Sequence, residues 1–469
     1  MKLGLVGPSY QERSLPFDAQ RTVNFYPVVD ETQEGKEVSA LYGTPGLENF
    51  TTAGIGPIRA VFSSTNGRAF CVSATQLFEL SSVGVATSRG TLTSDVGSVS
   101  IDENTTQMAI CDGTKIYIFT YASNAFTTPV LAASPAYTVT QLDGYFIYNT
   151  DAGQFYISAL QDGSTWDALD FATAESSPDG LVRVFATLGQ LWLLGSRTIE
   201  IWINNGDVDF PFSRIQGARM EVGCAAAFSV VSADNTMFWL GTSKDGQGIV
   251  YRASGYSPQR ISTFAIERYI NTDEDLEDII GYTYQQDGHL FYVLTGGNLE
   301  TTICYDAATQ LWHERASLEL DGTWSTHAAS TCMFIFNKHL VGDKSNGNIY
   351  QMSEDFYDDS GTMIRAQRTF THMNNEGKSF SVNTLQVDFE YGVGLTATGV
   401  QGEDPVVWLE ISTDGGRTWG SELLATIGAI GAYKWRAYWN KIGYTENQMT
   451  FRVTVTDPVK RAVCGAYAF

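Results

Sequence analysis

The sequence predicts an all-β protein: a seven-bladed β-propeller-like body followed by a C-terminal β-sandwich domain. Short apolar stretches recur in pairs around Gly, Asp or Asn turns. Successive pairs are spaced by roughly 40 to 50 residues, which is the period of propeller blades. Charged residues make up only 17% of the chain, below the about 25% of average proteins, and Gly, Thr, Ser and Tyr are abundant. These three observations favour β-structure over helical bundles.

Each pair of apolar stretches predicts a β-hairpin, in which a tight turn joins two short strands. A single blade cannot bury both of its faces, so blades stack radially around a channel. Hairpins of a sandwich or a β-helix would give the same local pattern, and only the period and the number favour a propeller. The predicted hairpins span Asn66–Leu80, Thr105–Phe119, Leu142–Ser158, Leu188–Trp202, Asp234–Ala253, Gln286–Asp306 and Asn337–Ser353.

Composition divides the chain into three parts. Residues 1–55 are predicted to be an irregular N-terminal segment, residues 56–365 the propeller-like domain, and residues 366–469 the sandwich. The last part alternates polar and apolar residues, as in Asn383–Gly394, which is typical of strands with one solvated face. It is nearly neutral, so about −22 of the net charge of −23 lies before residue 366.

One helix is predicted between blades, in the acidic stretch after Ile270. Thr272 would be its N-cap, Asp273, Glu274 and Asp275 would favour its first turn, and it would end near Gly281. The same acidic cluster resembles a calcium loop, but it lacks the glycine that such a loop needs at its sixth position. No metal site is therefore predicted.

The overall charge disfavours a protein that grips nucleic acid, because 29 basic residues face 52 acidic ones and phosphates require Lys and Arg. The six cysteines are widely spaced without a CxxC pair, which predicts buried reduced thiols. No apolar run approaches the roughly 18 residues of a membrane helix, and the first residues are too short for a signal peptide. We expect a soluble protein made in a reducing cytoplasm.

Catalytic motifs are missing from the sequence, which contains no GxSxG, Walker A, HExxH or strand-following GxGxxG pattern. The five histidines, His289, His313, His327, His339 and His372, are scattered without ligand spacing. A carboxylate pair as in glycosidases stays open, because acidic residues are plentiful and none stands out. No catalytic residue, no cofactor and no metal ligand is predicted.

One local motif is specific. The stretch Ser412–Trp419, STDGGRTW, fits the Asp-box pattern S-x-D-x-G-x-T-W. In this hairpin turn an aspartate accepts backbone N–H groups, a glycine supplies a positive φ, and a tryptophan packs beneath. We therefore predict a structural role for Ser412, Asp414, Gly416 and Trp419. A sialidase-like enzyme would require repeated boxes and an arginine cluster.

Several segments in order resemble one family, the packaged-DNA stabilisation proteins, or tail hub accessory proteins, of short-tailed phages. The N-terminal DAQRTVNFYPVVDE and ALYGTPGLENF resemble that family's N-x-Y-P and T-P-G-L opening. The middle stretch from Ser176 to Gly241, with its hairpin ending in TIEIW, and the C-terminal STDGGRTWG, YKWRAYWNKIG and RVTVTDPVKRAVCGAYA resemble later parts. The stretch between about Thr263 and Arg365 matches least.

The resemblance implies a structural virion protein of the phage tail, assembled in the cytoplasm of the bacterial host, and not an enzyme. Such a hub would close the DNA exit channel below the portal complex and its adaptor ring, as a homo-hexamer, and would offer docking sites to the tail needle and to tailspikes or fibres. DNA would pass nearby without sequence-specific binding and without a membrane partner. Tyr26, Pro27, Pro45 and Gly46 would shape the N-terminal segment.

Two alternatives remain open at this stage. The first is a non-catalytic glycan-binding propeller or adhesin, and the second is a propeller glycosidase such as a sialidase. A glycan array would detect the former, and a hydrolysis screen the latter.

Overall fold

A computed structural model describes residues 2–7, 11–30, 37–174, 179–272 and 275–469. The prediction of an irregular N-terminal segment over residues 1–55 is not met, because this stretch forms strands that pair with partners far along the chain. Local sequence cannot reveal such pairs. The strands are β1 (Arg21–Val23), β2 (Phe25–Val29), β3 (Ser39–Gly43) and β4 (Gly46–Thr52).

Seven antiparallel sheets of at least four strands follow around one ring, which fits the predicted number of blades. Blade 1 contains β5 (Ile58–Ser63), β6 (Ala69–Ser73), β7 (Gln76–Leu80) and β8 (Ala86–Thr91). Blade 2 contains β9 (Ser100–Glu103), β10 (Gln107–Cys111), β11 (Ile116–Thr120) and β12 (Ala125–Thr127). Blade 3 contains β13 (Val139–Leu142), β14 (Tyr145–Asn149), β15 (Gln154–Ala159) and β16 (Asp162–Thr173). Blade 4 contains β17 (Leu181–Thr187), β18 (Gln190–Gly195), β19 (Ile199–Asn204) and β20 (Phe212–Met220).

The remaining blades are less regular. Blade 5 contains β21 (Gly223–Cys224), β22 (Val231–Ala233), β23 (Thr236–Ser243), β24 (Gly246–Ser254) and β25 (Ser257–Arg260), with a 3₁₀ turn at Ala227–Ser229. Blade 6 contains β26 (Ile279–Gln286), β27 (His289–Gly296), β28 (Thr302–Asp306) and β29 (Leu311–Leu318), and β30 (Trp324–Thr326) pairs with β29. Blade 7 contains β31 (Ala329–Ile335), β32 (Lys338–Asp343), β33 (Asn348–Ser353) and, as its outer strand, β4 from the N-terminal segment.

The innermost strands close the ring around a central channel. Contacts join the inner strands of neighbouring blades, including β5 of blade 1 to β31 of blade 7. Apolar clusters fill the space between blades; in one, the rings of Phe70 and Phe119 lie 5.4 Å apart between blades 1 and 2. Every predicted hairpin forms the two middle strands of one blade.

The predicted helix beginning at Thr272 is wrong. The chain instead forms α1 (Phe264–Ile270), a second 3₁₀ turn at Leu276–Asp278, and then β26, which includes Gly281. Helix α1 buries Ala265, Ile266 and Ile270, whereas Leu276 is the one buried apolar residue in the described part of the acidic stretch before β26. Asp273 and Glu274 lie outside the described residues.

The C-terminal domain is a sandwich of two sheets around one apolar core. Between the domains lie the short strands β34 (Asp358–Asp359) and β35 (Thr362–Met363). One sheet has the order β36–β42–β39–β40, and the other the order β2–β3–β43–β38–β41. Their strands are β36 (Ala366–Thr369), β37 (Met373–Asn374), β38 (Phe380–Phe389), β39 (Val406–Ser412), β40 (Leu423–Thr426), β41 (Ala437–Thr445), β42 (Gln448–Val455) and β43 (Ala462–Ala468).

Candidate functional site

The N-terminal segment joins the two domains. Strand β1 pairs in parallel with β29 of blade 6 and antiparallel with β36 of the sandwich, so one sheet runs through both domains. Strands β2 and β3 extend the other sandwich sheet through β43, and β4 then completes blade 7 by pairing with β33. The same segment therefore holds edges of both domains, and we call it the N-terminal clasp (residues 21–52).

Asn24 fixes the centre of the clasp. Its backbone adopts a positive φ of 55°, and Asn is among the few residues that tolerate this conformation. Its amide donates to the carbonyls of Ala316 and Arg365, at 2.8 Å each, and its oxygen accepts from the N–H of Ala316 at 3.0 Å. Nearby, Arg21 forms a bidentate ion pair with Glu314 at 2.9 and 2.7 Å. Asn24, the first residue of the N-x-Y-P pattern, was not singled out from sequence.

The four motif residues expected to shape this segment all lie in the clasp. Tyr26 is buried and donates its hydroxyl to Glu354 at 2.9 Å, and Pro27 lies in β2 opposite Leu41. The Pro45 carbonyl accepts from Arg315 at 2.9 Å. Gly46 lies so close to the Phe356 and Asp358 carbonyls that a Cβ there would collide with them.

Buried charged groups surround the clasp on the propeller side. Arg315 is fully buried, and besides Pro45 it donates to Nε2 of His327 at 3.1 Å. Nε2 of His327 in turn lies 3.6 Å from the Asp359 carboxylate. Burial lowers the pKa of His327, and the positive charge of Arg315 lowers it further. Removing one partner from such a buried group would leave the others without compensation, which is costly.

His313 is the least satisfied polar side chain near the clasp. It is buried, and neither of its ring nitrogens has a hydrogen-bond partner among the residues described. Its ring lies against Tyr26 and Phe291, with centroids at 6.2 and 5.5 Å. Burial lowers the pKa of His313 to about 3, so the ring is neutral at physiological pH. Two of the five histidines, His313 and His327, are thus core residues.

A cavity of about 1180 Å³ opens where the central channel meets one face of the propeller. Residues from all seven blades line it, at the loops that lead into the inner strands and at the turns between second and third strands. Its acidic side chains, Asp95, Asp112, Asp151, Glu277 and Asp278, outnumber its basic ones, Arg59, Arg197 and Lys344. The channel mouth is therefore acidic.

At the channel mouth, the side chain of Arg59 binds backbone carbonyls. It donates to the carbonyls of Gly97, Ala74, Ser94 and Val96, at 2.5 to 2.9 Å. Burial lowers its pKa, and the four carbonyls use most of its hydrogen-bonding capacity. Arg59 thus shapes the loop before blade 2.

The Asp-box forms one compact turn between β39 and β40. Asp414 accepts from the N–H groups of Arg417 and Thr418 at 3.0 Å each and from the Thr418 hydroxyl at 2.6 Å. Ser412 donates to Asp414 at 2.8 Å and accepts from the N–H of Gly416, whose φ is 86°. These hydrogen bonds hold the pKa of Asp414 well below its usual range.

Trp419 lies under a cation from the same sheet. The Arg452 guanidinium carbon is 4.0 Å from its ring centroid, and Arg452 also pairs with Glu410 at 2.7 Å. On the other side of the turn, Gly416 and Gly415 approach Ala19 and Pro16 of the N-terminal segment. The box therefore packs against residues 16–19 on this side of the sandwich.

We expect Asp414→Ala to destabilise the sandwich by about 2 kcal/mol, because several hydrogen bonds to one carboxylate are lost together. Urea denaturation followed by tryptophan fluorescence measures the loss. Thr413→Ala, at the exposed neighbouring position, is the matched control and should stay within about 0.5 kcal/mol of the wild type. An equal effect of both variants would contradict the role given to Asp414.

Other chemistry is sparse in the described part of the chain. Cys71, Cys111, Cys224 and Cys304 are buried thiols, and burial raises the pKa of Cys111 and of Cys304 to about 12. Within the described ranges, no three His, Cys, Asp or Glu side chains cluster as metal ligands would. Among the same residues, no helix is long and apolar enough to span a membrane.

Solved structures are similar to this chain only at a low level. The extracellular domain of a putative hybrid two-component system, BT4673 from B. thetaiotaomicron, is 8% identical with a TM-score of 0.46, over 66% of this chain and 39% of that one. A second structure, of the extracellular domain of the putative one-component system BT4673, is 12% identical with a TM-score of 0.43, over 89% of this chain and 59% of that one. The computationally designed Ika8 protein is 11% identical with a TM-score of 0.38, over 65% of this chain and 99% of that one.

None of the curated protein sequences compared with the chain matches it significantly. Two family models do match, in order and over nearly the whole length. Residues 1–357 match the model described as bacteriophage P22 Gp10, beta-propeller, and residues 365–468 match bacteriophage P22 Gp10, beta-sandwich. Both agree with the architecture, a propeller followed by a sandwich. The chain therefore belongs to the bacteriophage P22 Gp10 family of structural phage tail proteins.

Proposed function

We propose that this protein is a hub subunit of a short phage tail. A homo-hexameric ring of such subunits closes the DNA exit channel below the portal and its adaptor ring and keeps the packaged genome inside. The ring also offers docking sites to the tail needle and to tailspikes or fibres. The observation that carries this proposal is the ordered match of both family models to residues 1–357 and 365–468.

The distribution of charge supports a position beside DNA without binding to it. Nearly all of the net charge of −23 lies before residue 366, in the propeller and the N-terminal segment. Acidic walls repel the phosphate backbone, so DNA can slide past them. The acidity also keeps free subunits soluble before assembly.

The structure of the clasp also supports a role in which the protein carries mechanical load. A plug below packaged DNA must resist internal pressure, and a chain whose two domains share a continuous sheet transmits force through backbone hydrogen bonds. The partly buried, bidentate ion pair of Arg21 with Glu314 also joins the clasp to blade 6.

We expect phage carrying an early stop codon in this gene to package DNA and then lose it. Nuclease-protected DNA per particle measures the loss, and wild-type protein supplied from a plasmid should restore it. In restored virions, cryo-EM of a tagged copy should place the protein in the tail. Mutant particles that keep their DNA, or a tag on the capsid, would overturn the proposal. A basic channel wall in the same map would contradict the proposed repulsion of DNA by the channel, but not the position of the protein in the tail.

A further inference from the structure

A basic surface lies on the sandwich of this protein, whose net charge is −23. Residues 423–445 contain three basic side chains, Lys434, Arg436 and Lys441, and no acidic one. All three cations are exposed, and none forms an ion pair within the described residues. We call this surface the basic edge (residues 423–445).

The basic edge is the open side of the sandwich. Strand β40 is the last strand of one sheet and β41 the last strand of the other, and the two contact each other. Trp435 donates its indole N–H to the Thr426 carbonyl, and Trp439 donates to the Leu423 carbonyl, at 2.9 Å each. These bonds join β40 to β41 and to the residues just before it. An open edge strand offers unpaired backbone groups to another chain.

Large apolar side chains are exposed among the cations. Tyr433 is 74% exposed, and Leu424, Ile430, Trp435, Tyr438 and Tyr444 are also exposed. Aromatic residues and arginine together are enriched at protein–protein interfaces. Several large apolar side chains exposed along one short stretch are a feature of interaction sites.

The propeller carries surfaces of complementary character. In β16, Leu169 is 82% exposed between Asp167 and Asp170, and in the loop after β19, Val208 is 98% exposed between Asp207 and Asp209. No ion pair involves these four aspartates among the described residues. Both stretches flank one apolar cluster between blades 3 and 4, which contains Ala172 and Phe210. We call them the acidic tips (residues 167–170 and 207–209).

We infer that the basic edge of one copy binds the acidic tips of blades 3 and 4 of a neighbouring copy. Each acidic tip presents an apolar residue between two carboxylates, and the basic edge presents aromatic residues among cations. The two surfaces are therefore complementary in both packing and charge. Two different surfaces on the same chain give head-to-tail contacts, which form a ring when the rotation between neighbouring copies closes. The inference rests on the proposed hub function and gives the ring its subunit contact.

Double-stranded DNA is the alternative binding partner for the basic edge, because DNA is also negatively charged. Three cations neutralise few phosphates, and the remainder of the chain repels them. The exposed apolar side chains add nothing to phosphate binding, whereas they bury surface against a protein. A second copy of this chain is therefore the favoured partner.

The test uses charge reversal in the full chain, with sedimentation velocity at low and high salt. We expect wild-type protein to self-associate at high concentration and low ionic strength. The edge variant, K434E with R436E and K441E, should weaken association at least about 100-fold. The tip variant, D167K with D170K, D207K and D209K, should do the same. An equimolar mixture of both variants should associate again, because each edge then meets an oppositely charged tip.

The matched control reverses three other exposed lysines, as K115E, K244E and K378E. It changes the net charge as much as the edge variant does, and it should associate like wild type. Four results would overturn the inference: monomeric wild-type protein, an unaffected edge variant, a mixture that fails to associate, or a duplex-DNA affinity that the edge variant loses. If virions still hold the protein in their tails after such a result, the hub function survives and only this contact fails.

Discussion

A chain lacking residues 2–52 is expected to lose both domains as stable units. The deletion removes the outer strand of blade 7, two strands of one sandwich sheet and the strand that links blade 6 to the other sheet. It also takes Phe25, Leu41 and Leu47 out of two apolar cores. The lost free energy of unfolding exceeds about 5 kcal/mol, which is comparable to the whole stability of an ordinary domain.

Circular dichroism during heating measures this effect. The full chain should unfold at a well-defined temperature, and the truncated chain should be insoluble or melt at least about 15 °C lower. Residues 2–52 supplied as a separate peptide should partly restore the transition, since the strands can pair without a covalent connection. A soluble truncated protein that melts within a few degrees of the full chain would show that the clasp is dispensable.

Asn24→Leu tests the same feature with one side chain. It leaves the Ala316 N–H and the Ala316 and Arg365 carbonyls without their partner, at a cost of at least about 3 kcal/mol. Asn375→Leu, at an exposed turn position, is the matched control. Equal stability of the two variants would show that the side chain of Asn24 does not stabilise the clasp.

The sequence predicted the middle of each blade and missed its margins. Strands such as β6 and β10 bury nearly every residue, so they form apolar runs that a local pattern detects. Outer strands such as β25, with the sequence SPQR, are exposed and have no apolar pattern. The position of an outer strand depends on its pairing with the neighbouring strand of the blade, so its own sequence does not predict it.

The clasp was missed for a related reason. Strand β4 pairs with β33, about 300 residues later in the chain, and no local pattern encodes so distant a partner. Through resemblance, the N-x-Y-P and T-P-G-L patterns did mark residues that lie in the clasp. Tyr26 is buried there, and a side chain larger than that of Gly46 would collide with backbone carbonyls. The side-chain hydrogen bonds of Ser412 and Asp414 follow a local pattern, since their partners lie within the same turn. The contact of Trp419 with Arg452 of β42 lies outside that pattern.

Acid is expected to destabilise the protein already between pH 6.5 and pH 5, through His313. An unfolded histidine binds a proton near pH 6.5, whereas burial lowers the pKa of His313 in the folded protein to about 3. The negative charge of Asp306 opposes this shift only partly, and Arg315 and His289 reinforce it. In this window the unfolded state therefore binds more protons, so stability falls as the pH falls.

The expected size of the effect follows from linkage. The stability contributed by a neutral His313 is complete above about pH 6.5 and decreases by up to about 1.4 kcal/mol per pH unit below it. Between pH 6.5 and pH 5 this amounts to about 2 kcal/mol. His327, whose pKa burial also lowers, adds to the loss in the same direction.

His313→Phe separates this contribution from general acid effects. Phenylalanine suits the site beside Tyr26 and Phe291 and cannot take up a proton, so the urea midpoint of the variant should depend less on pH between 6.5 and 5. His289→Gln is the control: the hydrogen bond with Asp306 raises the pKa of His289, so its stabilisation is complete below pH 6.5 and is lost as the pH rises. That variant should be less stable yet keep the wild-type dependence between pH 6.5 and 5. Equal pH dependence in wild type and His313→Phe would show that this histidine is protonated, or solvated, in the folded protein.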